Sequence, residues 1–171
     1  FQGKENEVVK RKQKISVSIK KGLVSAYKAK KITSSINLRK INYYNKNLYW
    51  EKIIPDDNSF IIEKDEFYIL RSKELISIPK DSAAELEPFK DSFGNFRVHY
   101  AGFFDPGFGN NNGIPAVLEL RAYDTPFIIR DGQLVGQLNY YDINLVKNFS
   151  YGRSIKSNYH NQSLKLAKQF K

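Results

Sequence analysis

Cysteine and methionine are absent from the 171 residues, and histidine occurs only twice, as His99 and His160. Without cysteine there is no disulfide, no iron–sulfur cluster and no thiolate nucleophile, and a zinc site loses its usual ligands. Two histidines so far apart do not suggest a catalytic dyad, and each is read as structural or exposed. The missing methionine marks a processed product, a tagged product or a fragment of a longer chain. Phe1-Gln2-Gly3 fits either a protease-site scar or the read-through from a preceding domain. No apolar run approaches the ~18 residues of a membrane-spanning helix, and the lysine-rich opening has no signal-peptide core. A soluble, cytoplasmic protein without a membrane partner is expected.

Hydrophobic residues make up 41% and aromatics 14%, which suits one folded domain with extensions. The net charge of +10 is concentrated at the beginning: residues 1–40 hold twelve Lys/Arg against two Asp/Glu, which is the whole excess. Lys10-Arg11-Lys12-Gln13-Lys14 and Lys28-Ala29-Lys30-Lys31 could attract phosphate or nucleic acid. They are read in preference as a solvated entry segment. This divides the chain into residues 1–14, a basic linker or expression remnant, a β domain over 15–150, and a C-terminal arm over 151–171.

Ile15–Ile19 alternates apolar and polar residues with period two, and Gly22–Tyr27 continues in β-prone residues. Further short strands are predicted over Leu48–Ile54, Ser59–Ile62, Glu66–Ser72, Ser82–Phe89, Arg97–Phe104, Ala116–Ala122, Pro126–Ile129 and Leu134–Ile143. Turn formers such as Pro55-Asp56-Asp57-Asn58 and Arg130-Asp131-Gly132 separate them. Many short strands punctuated in this way indicate an all-β sandwich or barrel. Helical periodicity is confined to Ser163–Phe170 and, more weakly, Glu5–Gln13. Trp50, in an apolar strand, is read as core.

Two carboxylates stand out. Asp105-Pro106-Gly107 has type II turn chemistry, because proline fixes φ at the second position and glycine accepts positive φ at the third. Asp105 is thereby displayed at a strand end, although the tripeptide alone is ordinary turn punctuation. Glu119 interrupts the apolar Ala116-Val-Leu-Glu-Leu, and alternation places it on the face of Val117 and Arg121. Pattern alone reads it as a solvated carboxylate; in a partly desolvated pocket its pKa would rise until it could exchange protons with water.

Taken together, Tyr100-Ala-Gly-Phe-Phe-Asp105-Pro-Gly-Phe108, Ala116–Arg121, and Asp124-Thr-Pro-Phe-Ile-Ile-Arg-Asp-Gly132-Gln-Leu-Val-Gly-Gln137-Leu resemble the dCTP deaminase branch of the dUTPase-like superfamily. The likeness is to the C-terminal half of the long, two-domain bacterial enzymes. It implies a distorted antiparallel β-barrel or double-sheet fold of the β-clip type with a short C-terminal helix or arm. It also implies assembly as a homotrimer, or as a pseudo-trimer with an N-terminal homologous half. The implied substrate and product are dCTP and dUTP, with Mg²⁺ carried on the triphosphate and no zinc.

By the same resemblance, Glu119 activates the hydrolytic water, the backbone of Ala101 helps to place it, and Asp105 accepts the deoxyribose 3′-hydroxyl. Phe103, Phe104 and Phe108 are candidates for excluding a ribose 2′-hydroxyl, and Arg121 is a partner for Glu119. Gln137 corresponds to a glutamine near phosphate in related dUTPases, while Tyr159 and Gln162 lie on a closing arm. The family's Ser-Ser-x-x-Arg element has no counterpart; Pro88-Phe-Lys-Asp-Ser92, with Lys90 its one cation, stands at that distance before the turn. A working site would then combine this chain with another half. A dUTP pyrophosphatase, a bifunctional deaminase–pyrophosphatase, a non-catalytic half and a basic nucleic-acid-binding barrel are the alternatives.

Overall fold

The structure, a computed structural model, describes residues 11–31, 34–88, 96–99 (backbone only), 103–109, 112–143, 164 and 166–171. Among them, eleven strands form three antiparallel sheets, and one helical turn, α1 (Lys46–Tyr49), precedes β3. The four-stranded sheet runs in the order β1 (Arg11–Ser16), β11 (Leu134–Asp142), β6 (Ser82–Pro88), β8 (Phe103–Phe104). The five-stranded sheet runs β3 (Trp50–Ile53), β2 (Ala26–Ala29), β5 (Phe67–Ile76), β9 (Ile114–Ala122), β7 (Phe96–His99). A smaller pair joins β10 (Phe127–Arg130) to β4 (Ser59–Ile62).

Alternation decides which face of each sheet turns inward. On β9, Ala116, Leu118, Leu120 and Ala122 are buried while the residues between them stay partly exposed. They meet Tyr68 and Leu70 of β5, Leu138 and Tyr140 of β11, Leu86 of β6 and Ile129 of β10 in one apolar cluster. Each buried leucine or isoleucine among them contributes about 1.5–3 kcal/mol by leaving water, so the two larger sheets are held face to face and their other faces point outward. No helix among the described residues is long and apolar enough to cross a membrane.

Several elements differ from the sequence reading. Ile15–Ile19 is buried at every residue rather than alternating, because the chain crosses there from one sheet to the other. A bulge separates Ile15 from Ser16, Val17 bridges Ser72 of β5, and Ser18 N–H donates to Arg71 O at 3.0 Å. The Glu74 carboxylate accepts from Ser16 N–H at 2.8 Å and from its hydroxyl at 2.6 Å, so the buried serine keeps its polar groups satisfied. β1 already starts at Arg11, so Arg11–Lys14 are part of a sheet and not of a linker, and the helical reading of Glu5–Gln13 fails over its described residues 11–13. Here Tyr140 donates its hydroxyl to the Gln13 side chain at 2.8 Å, and the Arg11 guanidinium lies 5.1 Å from the Tyr140 ring centroid.

The expected strand over Arg97–Phe104 is two strands in different sheets. The helical pattern near Ser163–Phe170 also gives no helix over 166–171. Its backbone groups bond instead to Asn42, Tyr43 and Tyr44, and Phe170 forms a parallel bridge with Tyr44. Tertiary partners outcompete local periodicity when a segment this short has no nucleus of its own.

Candidate active site

Asp105–Phe108 is the turn its residues predict. Phe108 N–H donates to Asp105 O at 3.0 Å, and Gly107 has φ +84°, the type II geometry. The turn is fastened to the chain after β5: Gly107 N–H donates to Ile78 O at 3.0 Å and Ile78 N–H donates to Phe108 O at 2.9 Å. Gly109, at φ +75°, runs so close to that chain that a Cβ would stand 2.0 Å from Ile76 O. Asp105 is left exposed on a rigidly mounted corner.

The three phenylalanines around it separate. Phe104 and Phe108 are 5% and 8% exposed, belong to the core, and meet edge to face at 4.9 Å. Phe103 points the other way and is 72% exposed. Packing therefore commits two of the rings to supporting the turn and leaves Phe103 as the one able to touch a ligand.

Glu119 sits midway along β9 on the outer face of the five-stranded sheet, with Val117 and Arg121, as alternation requires. Register brings Ile69 of β5 and His99 of β7 opposite it, with Tyr27 of β2 beyond Ile69. Ile69, although on this outer face, is only 7% exposed, so the β5 position directly beside Glu119 is shielded from water. Arg121 pairs with Phe67 and with Arg97, and its guanidinium carbon lies 5.8 Å from the Phe67 ring centroid. Its Nε is buried without a hydrogen-bond partner among the described residues. Arg71 enters the same face opposite Val117. Tyr27, Phe67 and Arg71 escaped the sequence reading because only cross-strand register carries them to Glu119; the strand period of β5 was the one signal for Phe67 and Arg71, and Tyr27 on β2 had none beyond its β-prone surroundings.

Gln137 is on a different surface. It lies on β11, between Lys14 of β1 and Glu87 of β6, on the outer face of the four-stranded sheet, and donates its amide to the Asn139 side chain at 2.8 Å. Phe103, opposite Glu85, joins that same face. The candidate residues thus fall on two outer faces separated by the core. Ala101, Tyr159, Gln162, Lys90 and His160 lie outside the described residues, as does the His99 side chain. Among the described residues, no three His, Asp or Glu side chains gather in a group able to hold a metal ion.

Comparison with known proteins gives these surfaces a family. The profile for "2'-deoxycytidine 5'-triphosphate deaminase (DCD), C-terminal domain" matches residues 1–170. Curated relatives include a "dCTP deaminase, dUMP-forming" of Pseudarthrobacter chlorophenolicus, 33% identical over 104 residues, covering 58% of this chain and 52% of the relative. Another of that name, from Streptomyces griseus, is 35% identical over 100 residues, covering 56% and 50%. The crystal structure of 2'-deoxycytidine 5'-triphosphate deaminase from Agrobacterium tumefaciens superposes with a TM-score of 0.71 and 40% identity, over 76% of this chain and 41% of that one. The chain spans about half the length of the relatives it matches, and its fold over the superposed residues is that of the Agrobacterium tumefaciens structure. The chain belongs to the dCTP deaminase family and represents its C-terminal domain.

Proposed function

We propose that this chain is one half of a metal-free hydrolytic deaminase that converts dCTP and water to dUTP and ammonia. The observation that carries the reading is Glu119, set beside the buried Ile69 on the five-stranded sheet in a chain of this family. A carboxylate there takes a proton from water as the oxygen attacks C4 of cytosine. Glu119 passes that proton to N3 as the tetrahedral centre forms. It then takes the second proton from the new C4 hydroxyl and gives it to the amino group, so that collapse of the centre restores the C4 carbonyl, breaks the C4–N4 bond and releases ammonia. The Ala101 backbone helps to position the water, and Arg121 partners Glu119.

Asp105 holds the deoxyribose 3′-hydroxyl, with Phe103 the exposed aromatic beside it, and Tyr159 and Gln162 close over the nucleotide. Mg²⁺ arrives on the triphosphate as part of the substrate. The two outer faces argue that each contributes to a different composite site, completed by other domains of a homotrimer or pseudo-trimer. Lys12, Lys14 and Gln137 on one face and Arg71 on the other supply local contacts, while the missing Ser-Ser-x-x-Arg element assigns most phosphate binding to the partner half. Residence in the cytoplasm fits an enzyme of deoxynucleotide supply.

A second reading, in which the same site continues to dUMP, is favoured by the "dUMP-forming" names of the curated relatives. Incubation with dCTP and Mg²⁺, followed by separation of dCTP, dUTP and dUMP, tests both. Ammonia with dUTP supports deamination by this chain alone, and dUMP supports the second reading. If only addition of the N-terminal half restores turnover, the composite site stands. Retained deamination in Glu119→Gln would overturn the assignment, and no turnover in either form would leave a purely structural half.

A further inference from the structure

The stretch Leu166–Lys171 is fastened to the segment before β3 by a set of backbone bonds. Asn42 N–H donates to Lys168 O at 2.9 Å, and Tyr43 and Tyr44 N–H donate to Gln169 O at 2.9 and 3.0 Å. Lys171 N–H donates to Tyr44 O at 2.9 Å. The buried Gln169 side chain donates to Leu38 O at 3.0 Å. What this docking delivers is one ring. Phe170 lies 5.5 Å from Tyr49 and 5.9 Å, edge-on, from Trp50; Trp50 is 6.3 Å from Phe67; and the Arg121 guanidinium is 5.8 Å from Phe67.

Two donors in this row, Trp50 Nε1 and Arg121 Nε, are buried without an acceptor among the described residues, on either side of Phe67. An arginine whose Nε has no hydrogen-bond partner is oriented by packing, and the ring beneath it is part of that packing. Phe67 in turn rests against Trp50, and Trp50 against Phe170.

We infer that Phe170 is a positioning residue for Arg121, acting through Trp50 and Phe67. Docking of Leu166–Lys171 sets the guanidinium on the outer face, two residues along β9 from Glu119. The functional part of this inference rests on reading that face as the dCTP site. A guanidinium held in one plane presents its remaining donors in a set direction, which suits recognition of an acceptor-rich nucleotide. Phe170 touches no substrate in this arrangement.

The test follows Arg121 and Trp50 directly. Trp50 is the sole tryptophan, so its emission in this chain reports the Phe170 contact, and the Arg121 Nε–H resonance in a ¹⁵N-labelled sample reports ring stacking. Phe170→Ala is expected to move Trp50 emission to longer wavelength and to shift the Arg121 resonance, with Phe170→Leu largely restoring the emission. An unchanged Arg121 resonance in folded Phe170→Ala overturns the inference. If Phe170→Ala does not fold, Phe170→Leu and Phe67→Leu keep apolar volume while removing a ring, and an Arg121 resonance indifferent to both overturns it equally.

In protein containing both halves, Phe170→Ala should raise KM for dCTP by about threefold to tenfold and leave kcat within about twofold, the pattern of lost ground-state binding. Wild-type protein without dCTP turnover would defeat the functional reading instead, while the resonance experiment still decides whether Phe170 positions Arg121.

Discussion

The two outer sheet faces arise from the same two-residue alternation and end in opposite chemical states. On the four-stranded sheet, Lys14, Gln137 and Glu87 form one cross-strand row and Lys12, Asn139 and Glu85 the next. Each cation is separated from a carboxylate by an amide, so the rows balance their own charge. On the five-stranded sheet, Glu119 shares its face with Arg71, Arg121, Phe67, Ile69 and Tyr27, and Phe170 extends the aromatic row through Trp50. The partly exposed Glu119 therefore shares its face with arginines, rings and an aliphatic neighbour rather than with amides and compensating carboxylates. Alternation chooses a face, but cross-strand neighbours decide the charge and polarity that face presents.

The contrast can be broken most severely at its two carrier residues. In the assembled enzyme, Glu119→Gln should lower kcat by about 10²–10⁴-fold, the usual share of general acid–base catalysis. Gln137→Ala on the other face should change kcat/KM by less than about tenfold, since it removes at most one or two polar contacts. Steady-state kinetics on the pair would collapse the distinction if the two losses were equal.

Next in size is the corner that carries Asp105. Gly109→Ala places a methyl against Ile76 O in a left-handed backbone and should cost about 3 kcal/mol or more. Urea denaturation would show this as a lower midpoint, and an unchanged midpoint would mean that the turn does not hold Asp105 as described.

A smaller loss is expected where Asp131, after β10, accepts from Ile19 N–H at 3.0 Å and from the Lys73 ammonium at 2.5 Å. Burial is the largest single influence and pushes its pKa up. The Lys73 hydrogen bond and the Ile19 amide, with the nearby lysine charges, together outweigh it, so the net shift is downward. A depressed carboxylate contributes stability that is present above its unfolded pKa near 4 and is lost as pH falls through its folded value. Asp131→Ala should therefore cost about 1–3 kcal/mol at neutral pH. Its deficit against the wild type should shrink below about pH 4, as followed by thermal melts across pH 3–7. The smallest effect belongs to the balanced face: Lys12→Gln, at the exposed end of its row, should stay within about 0.5 kcal/mol, and a larger change in melting temperature would show that the buried Asn139 beside it depends on that lysine.

The Asp105 turn was legible because its instructions are local: proline restricts φ, glycine accepts positive φ, and no distant contact is needed. The face of Glu119 was legible too, since strand period is a property of the backbone. The fates of Phe103, Phe104 and Phe108 were not. Neighbouring phenylalanines look alike in sequence, and only strand direction at β8 and the path of the turn send one outward and two into the core. Ile15–Ile19 misled for a related reason. Its serines look like an exposed alternation until Glu74 and Arg71, remote in sequence, satisfy their polar groups inside the protein.

By itself, then, the sequence determined the β architecture, the turn at Asp105, the side of β9 on which Glu119 stands, and the absence of thiolate chemistry, because each follows from short-range sterics, two-residue periodicity or composition. Tertiary structure alone decided that Gln137 and Glu119 lie on different faces, that Phe67 and Arg71 join Glu119, and that Phe170 closes an aromatic row leading to Arg121. Those relations depend on which strands pair and in which register, and pairing energy is collected only when segments distant along the chain meet around a common core.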